Sequence, residues 1–221
     1  MGDDAFELVR IRGQLVRVRH GAGPDELEEA LEQRGIRAAE SAAMAAALPA
    51  TFDPGDPRPL LLVDVDGVVC AYGDELADPA AAGLEQVIID FLPMWFDSRI
   101  SDRLERLGKS FQLVWCTAWQ DRAAQSLAPH LGLPPLPVIY FDEPTAGDGH
   151  WKWPAIEAFV GDRPFAWIDD EVGQADLARA GRRSALTLLV RIGGSRGLVD
   201  SHVEQLEEFA ETVRAAGPSD R

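Results

Sequence analysis

Lysine is nearly absent from this chain. Among 221 residues the 21 basic side chains include only two lysines, Lys109 and Lys152, and the other 19 are arginines. Cysteine is equally sparse: Cys70 and Cys116 are the only two, too few for a disulfide framework or a four-ligand zinc site. At this length a hydrophobic core needs neither. No apolar run approaches the roughly 18 residues of a membrane span. The opening Met-Gly-Asp-Asp-Ala-Phe has no apolar leader, and Phe6 stands where a myristoylation signal carries a small hydroxyl residue. The expectation is a soluble cytoplasmic protein that avoids membranes. Positive charge is short as well, 21 basic against 37 acidic residues for a net charge of −16. That balance disfavours tight, non-specific binding to nucleic acid.

What is present divides at residues 49–59, where four prolines and one glycine fall within eleven positions. Such a stretch is extended and cannot continue a helix. It separates residues 1–57, a small extension with its linker, from a larger domain over 58–221. In the extension, Phe6 to Arg12 and Leu15 to His20 flank Gly13-Gln14, a pair suited to a two-residue type II′ turn. That register sets Val9 and Ile11 across from Val18 and Val16, with Arg10, Arg12, Arg17 and Arg19 on the opposite face. An arginine-lined hairpin discourages edge pairing and is also a surface for an acidic partner or RNA phosphates. Pro24-Asp25-Glu26 reads as a helix start, and helix continues, with a break at Gly35, through an Ala-rich stretch to Leu48.

After the linker, apolar runs alternate with helical patterns. Strands are expected at Leu60–Val65, Phe111–Cys116, Leu136–Phe141, Phe165–Ile168 and Ala185–Ile192. Helix is expected between about Pro79 and Leu107, then at Gln120–Leu131, Trp153–Val160, Gly173–Ala180 and from Ser201 to about Ala215. Ser201-His202-Val203-Glu204 has the spacing of a capping box. Unbroken apolar strands between helices describe an α/β fold: a mainly parallel sheet covered on both faces.

In such sheets the site lies beyond the carboxyl ends of the strands. The first strand ends on Asp64-Val65-Asp66-Gly67, the second on Thr117, and the fourth on Asp169-Asp170-Glu171, while Lys152 falls between the third and fourth. These are the parts phosphoryl transfer uses. One aspartate attacks phosphorus, and a second acid protonates the leaving oxygen and then deprotonates water. A hard cation offsets clustered carboxylates, and a lysine and a hydroxyl hold the non-bridging oxygens. With only two lysines in the chain, one at this place in the order points to function. Two carboxylates at a buried strand end are costly without a cation. Read singly, Thr117 is as well explained as a helix cap.

Asp64-Val65-Asp66-Gly67-Val68-Val69, Thr117, Lys152 and Asp169-Asp170, in that order, resemble the four motifs of the haloacid dehalogenase (HAD) superfamily over roughly residues 60–215. Leu113-Val114-Trp115-Cys116-Thr117-Ala118-Trp119, His150-Trp151-Lys152-Trp153-Pro154 and Phe165-Ala166-Trp167-Ile168-Asp169-Asp170-Glu171 further resemble the HAD domains of Swiss Army Knife RNA repair proteins. The resemblance implies a Rossmann-like three-layer sandwich and a Mg²⁺-dependent phosphatase working through an aspartyl-phosphate. It makes Asp64 the nucleophile and Asp66 the general acid/base, the acid that phosphatases of the superfamily carry and its transport ATPases and dehalogenases lack. Thr117 and Lys152 bind the phosphoryl group. Asp64, the backbone carbonyl of Asp66, Asp169 and Asp170 hold Mg²⁺.

The intervals Asp64 to Thr117 and Thr117 to Lys152 leave no room for a large cap domain, so the site is expected to be open. Its substrate is a phosphorylated metabolite, a nucleotide or a nucleic-acid end. Trp119, Trp151 and Trp153 are candidates to stack a base, or to pack in the core. Cys70 and Cys116 read as reduced packing residues. His150 and His202 have no companion at metal-ligand spacing. A receiver domain also sets acids, Thr and Lys on a parallel sheet, but a second Asp two residues after the first does not suit it. The competing function is a catalytically idle HAD-like module that binds a partner through the arginine face.

Overall fold

The computed structural model describes residues 6–11, 14–19, 53, 55–72, 79–141 and 150–217. The chain divides into two compact units, Met1–Pro49 with Ile88–Pro93 and Ala50–Val87 with Met94–Arg221. In the first, β1 (Phe6–Ile11) and β2 (Gln14–Arg19) form an antiparallel hairpin. Its register pairs Ile11 with Gln14, Val9 with Val16 and Glu7 with Val18. Gln14 therefore belongs to the second strand rather than to the turn, and the expected pairing moves by two positions. Arg10, Arg17 and Arg19 pair with Leu15, Leu8 and Phe6. Arg12 and the helix expected between Pro24 and Leu48 lie outside the described residues.

The second unit is built on a four-stranded parallel sheet of order β6-β3-β7-β8, comprising β3 (Leu60–Val63), β6 (Gln112–Trp115), β7 (Phe165–Asp169) and β8 (Thr187–Arg191). β3 is central, with Leu62 level with Val114 on one side and Trp167 on the other. Every residue of β3, β6 and β7 is buried, which is why these strands read as unalternating apolar runs. Alternate side chains of a strand meet opposite layers. Leu60 and Leu62 join Val114, Phe165 and Trp167 in a core with Trp153, Ile156 and Val160 of α3 (Trp153–Val160) and Ala180 of α4 (Gln174–Ala180). The opposite face carries α1 (Ile100–Gly108) and the long α5 (Asp200–Ala216). These two helices are tied by Arg103 Nε to Asp200 Oδ1 at 2.9 Å and an Arg106–Glu207 pair, and Phe111, just before β6, stacks parallel on Phe209 of α5. The three-layer α/β architecture is thus the one expected.

Two elements differ from expectation. The region read as helix from Pro79 holds instead an antiparallel hairpin, β4 (Leu84–Ile89) and β5 (Leu92–Asp97), before α1 begins. Val87-Ile88-Ile89 is β-branched, and Pro93 cannot sit inside a helix. Met94 and Phe96 are buried while Pro93 is exposed, a period of two. Asp90 and Phe91, at φ 48° and 66°, make the tight link that a hairpin's twist requires. The strand expected at Leu136–Phe141 is only a single parallel bridge, Val138 to Trp115. Pro134, Pro135 and Pro137 have no N–H to give a ladder. What survives is Trp115 N–H to Pro137 O and Ile139 N–H to Trp115 O, both 2.9 Å.

Two smaller differences concern ends. The proline-rich stretch before β3 is pinned where it is described. Arg58 donates to Gly108 O at 2.6 Å, and Arg163 donates to Asp56 O and Arg58 O at 3.0 Å. At the start of α5 the reciprocal residue is not Glu204 but His202, whose Nδ1 accepts the N–H of the cap residue Val199 at 3.2 Å. After β6, a π-helical stretch, Ala123–Leu127, runs into the short α2 (Ala128–His130). Among the described residues no helix is long and apolar enough to cross a membrane.

Candidate active site

The carboxyl ends of β6, β3 and β7 converge on one spot. Asp64 directly follows β3, and Asp169 is the last residue of its neighbour β7. On the other side Cys116 N–H bonds Val63 O at 2.8 Å, which brings Thr117 alongside the same end. The chain leaves β3 through one helical turn, Val68, Val69 and Cys70 all donating to Val65 O at 2.9–3.2 Å. Gly67 takes φ 69° in that turn, and a Cβ there would stand 2.3 Å from Asp170 Oδ2. Glycine is required on both counts.

Lys152, from the turn before α3, binds the two strand-end acids together. Its Nζ lies 2.9 Å from Asp64 Oδ2 and 2.7 Å from Asp169 Oδ2, with all three side chains buried. Asp64 Oδ1 accepts Val65 N–H at 2.8 Å, and Asp169 Oδ1 accepts Glu171 N–H at 2.9 Å. Burial pushes the Asp64 carboxyl up to about 7, against the pull of Lys152 and with the push of Asp169. Burial acts on Asp169 in the same sense, but His150 and Lys152 outweigh it and hold that carboxyl at about 2. Lys152 is kept charged because the two carboxylates more than offset its burial.

Asp170 completes a cluster in which Asp64, Asp169 and Asp170 each offer an oxygen, all within 4.8 Å of one another. Three carboxylates against one ammonium leave two negative charges in a buried place. Burial, then the charges of Asp169 and Glu171, raise the Asp170 carboxyl as well. Three carboxylate oxygens gathered in one all-oxygen cluster are a donor set that fits a hard divalent cation.

Asp66 stands outside that cluster. Its Oδ2 accepts the indole N–H of Trp119 at 2.9 Å, and its Oδ1 lies 3.8 Å from Cys70 Sγ. Thr117 is fully buried, and its hydroxyl oxygen accepts Trp119 N–H at 3.3 Å, the turn-closing role a cap residue plays. The structure thus gathers Asp64, Lys152, Asp169 and Asp170 into one cluster and places Asp66 and Thr117 at its edge, joined through Trp119.

Two further residues support the site, Asp176, which carries no sequence signal, and His150, which the sequence marks only as part of a motif. Asp176, buried in α4, accepts His150 N–H at 2.8 Å and the Trp153 indole N–H at 2.7 Å, which fixes the turn carrying Lys152. His150 lacks a sequence-local companion but has spatial ones, its Nε2 lying 3.5 Å from Asp169 Oδ1 and 3.4 Å from Glu171 Oε2. Its Nδ1 accepts Lys152 N–H at 3.3 Å, which leaves Nε2 facing the carboxylates. His150, Asp169 and Glu171 form a second group whose ligand atoms lie within 4.8 Å of one another.

The three tryptophans separate. Trp153 is fully buried against Trp167 and Phe165 and belongs to the core. Trp151 is half-buried, edge-on to Phe141, and Trp119 is half-buried beneath the guanidinium of Arg122 at 4.5 Å. Cys70 and Cys116 are free, buried thiols. Burial above all raises both, with Asp66 adding to the effect at Cys70.

A parallel sheet whose central strand ends in an acid, flanked by a hydroxyl on one neighbour and an acid on the other with a buried lysine between, is the HAD superfamily arrangement. A family model described as the HAD domain in Swiss Army Knife RNA repair proteins matches residues 60–203, and the chain belongs to that family. Comparison with curated proteins gives no match. Family membership points to hydrolase activity of the phosphatase kind on a phosphorylated substrate, with a divalent metal.

Proposed function

We propose that the chain is a Mg²⁺-dependent phosphohydrolase that cleaves a phosphomonoester through an aspartyl-phosphate on Asp64. The observation that carries this is the different standing of the two acids after β3. Asp64 lies inside the cation cluster against Lys152, whereas Asp66 lies outside it, bonded among the described residues to the neutral donors of Trp119 and Cys70. A nucleophile and a proton carrier need those two environments.

Asp64, Asp169 and Asp170, with the backbone carbonyl of Asp66, would hold the Mg²⁺. The ion supplies charge neutralisation that lets an anionic phosphoryl group approach a carboxylate. An Asp64 oxygen attacks phosphorus while the bond from phosphorus to the leaving oxygen breaks. Asp66 delivers its proton to that leaving oxygen, releasing an alcohol. Asp66, now a carboxylate, takes a proton from water as the water oxygen attacks phosphorus, freeing phosphate and restoring Asp64. Lys152 and the Thr117 hydroxyl neutralise and bond the non-bridging oxygens through both steps. The substrate is a nucleotide, a nucleic-acid end or a small metabolite, and the family's RNA repair description makes an RNA-end phosphate the first to try. Only a turn, the β4–β5 hairpin, α1 and β6 stand between Asp64 and Thr117 among the described residues. That leaves no cap domain in that interval, which supports a site open to a large molecule.

Phosphate release from an aryl phosphate and from a panel of phosphometabolites and end-phosphorylated oligonucleotides, with Mg²⁺, tests the reading. Wild type is active and Asp64→Asn is not. Silence of the wild type across the whole panel would favour the idle, partner-binding module.

A further inference from the structure

Resting on the phosphohydrolase reading, we propose that Trp119 is the positioning residue of Asp66. Its indole N–H holds Asp66 Oδ2, so that the catalytic proton travels on Asp66 Oδ1 alone. The bond is 2.9 Å long and joins the ends of two different strands, β3 and β6. Both ends of it are fixed. Trp119 sits in a turn closed by its own N–H to Thr117 Oγ1, by Gln120 N–H to Thr117 O at 3.1 Å and by Arg122 N–H to Trp119 O at 3.0 Å. Gln120, at φ 46°, anchors the same turn through its side-chain amide to Phe141 O at 3.3 Å. The Arg122 guanidinium lies over the indole. On the other side, the helical turn of Val65–Cys70 fixes the backbone of Asp66.

An indole N–H donates and never accepts, so it takes no proton from Asp66 in any state. A carboxyl group whose Oδ2 accepts that bond carries its proton on Oδ1, which among the described residues has the weak thiol contact of Cys70 at 3.8 Å. In the first step the Oδ1 proton passes to the leaving oxygen as the Asp64–phosphorus bond forms and the ester bond breaks. In the second the same Oδ1 recovers a proton from the attacking water. The indole prevents the carboxyl from rotating and presenting the wrong oxygen.

The test uses leaving groups. Through kcat/KM one reads only the steps up to ester cleavage, and a general acid matters more as the leaving alcohol becomes less acidic. Trp119→Phe keeps the ring and removes the N–H. Its loss in kcat/KM is expected to grow along a series from nitrophenyl to alkyl phosphates, reaching about tenfold to a hundredfold at the alkyl end. In an Asp66→Asn background the same substitution changes kcat/KM little, because the partner it acts on is already gone. A loss equal for all leaving groups, a change confined to KM, or full additivity with Asp66→Asn would overturn the proposal and make Trp119 a substrate or packing contact. If Trp119→Phe does not fold, Trp119→Leu is read by the same series. A wild type silent on every ester would remove the phosphohydrolase reading and this inference with it. A wild type that is active, with a uniform loss in the variant, would remove only the role of Trp119.

Discussion

Lys152 and Asp169 meet at 2.7 Å, both buried, one from a turn before a helix and the other from the end of a strand. The same ammonium reaches Asp64 at 2.9 Å, so one cation holds two acids that would otherwise repel each other in a low-dielectric place. Removing it leaves both uncompensated. Lys152→Met, which keeps much of the stem volume, is expected to lose activity and to lose about 3 kcal/mol or more of stability at pH 8 without divalent cation. Urea unfolding with and without Mg²⁺ checks this, and the loss shrinks when Mg²⁺ is present.

Gly67→Ala tests how tightly the turn after β3 is built against the metal cluster. The left-handed backbone alone costs a non-glycine residue roughly 1–2 kcal/mol. The new Cβ would also meet Asp170 at its Oδ2, Cγ and Cβ, the nearest at 2.3 Å. Asp170 must move, so Mg²⁺ affinity falls together with the melting temperature. Calorimetric titration of Mg²⁺ into the variant reads the first, and thermal melting reads the second.

Mg²⁺ binding should depend on pH in a defined sense. Burial pushes Asp64 up to about 7, whereas Asp169 is held at about 2 and stays ionised. Below about 7 the cation must displace a proton from Asp64, and above it no proton is in the way. Affinity therefore rises with pH through neutrality and levels off beyond it, with a limiting slope of about tenfold per pH unit on the acid side. Mg²⁺ titrations between pH 6 and pH 8.5 in two buffers of different ionisation enthalpy would also show the released proton.

The thiols should be inert. Cys70 and Cys116 are buried, and burial raises both well above the ordinary cysteine value, so neither is a thiolate at neutral pH. A disulfide-exchange reagent is expected to titrate no fast thiol in the native protein and both after denaturation. A fast native thiol would instead mark one of them as redox-active.

The strands and their acids are legible in the sequence because burial on both faces leaves β3, β6 and β7 as unbroken apolar runs ending in polar residues. Asp64, Thr117, Lys152 and Asp169 follow from that reading, and the scarcity of lysine makes Lys152 stand out. The hairpin of β4 and β5 is less legible, since Leu84–Ile89 and Leu92–Asp97 carry enough apolar residues to suit either period, and only Pro93 and the β-branched run argue for strands. Leu136–Phe141 misleads in the other direction, its apolar content hiding the prolines' missing donors. The partners of the site residues are not legible at all. Trp119 on Asp66, His150 beside Asp169 and Asp176 beneath the Lys152 turn are contacts between elements distant in sequence, made only when the sheet assembles.

Whether Asp64 carries the phosphoryl group can be read by acid-quenched mass spectrometry. Asp66→Asn, mixed with Mg²⁺ and a nitrophenyl phosphate, retains a leaving group that needs no acid but lacks the base for the second step. A phosphoryl group is expected on the peptide containing Asp64, removed by hydroxylamine as an acyl phosphate is. A phosphoryl group on any other residue, or steady phosphate release with no label on that peptide, would contradict it.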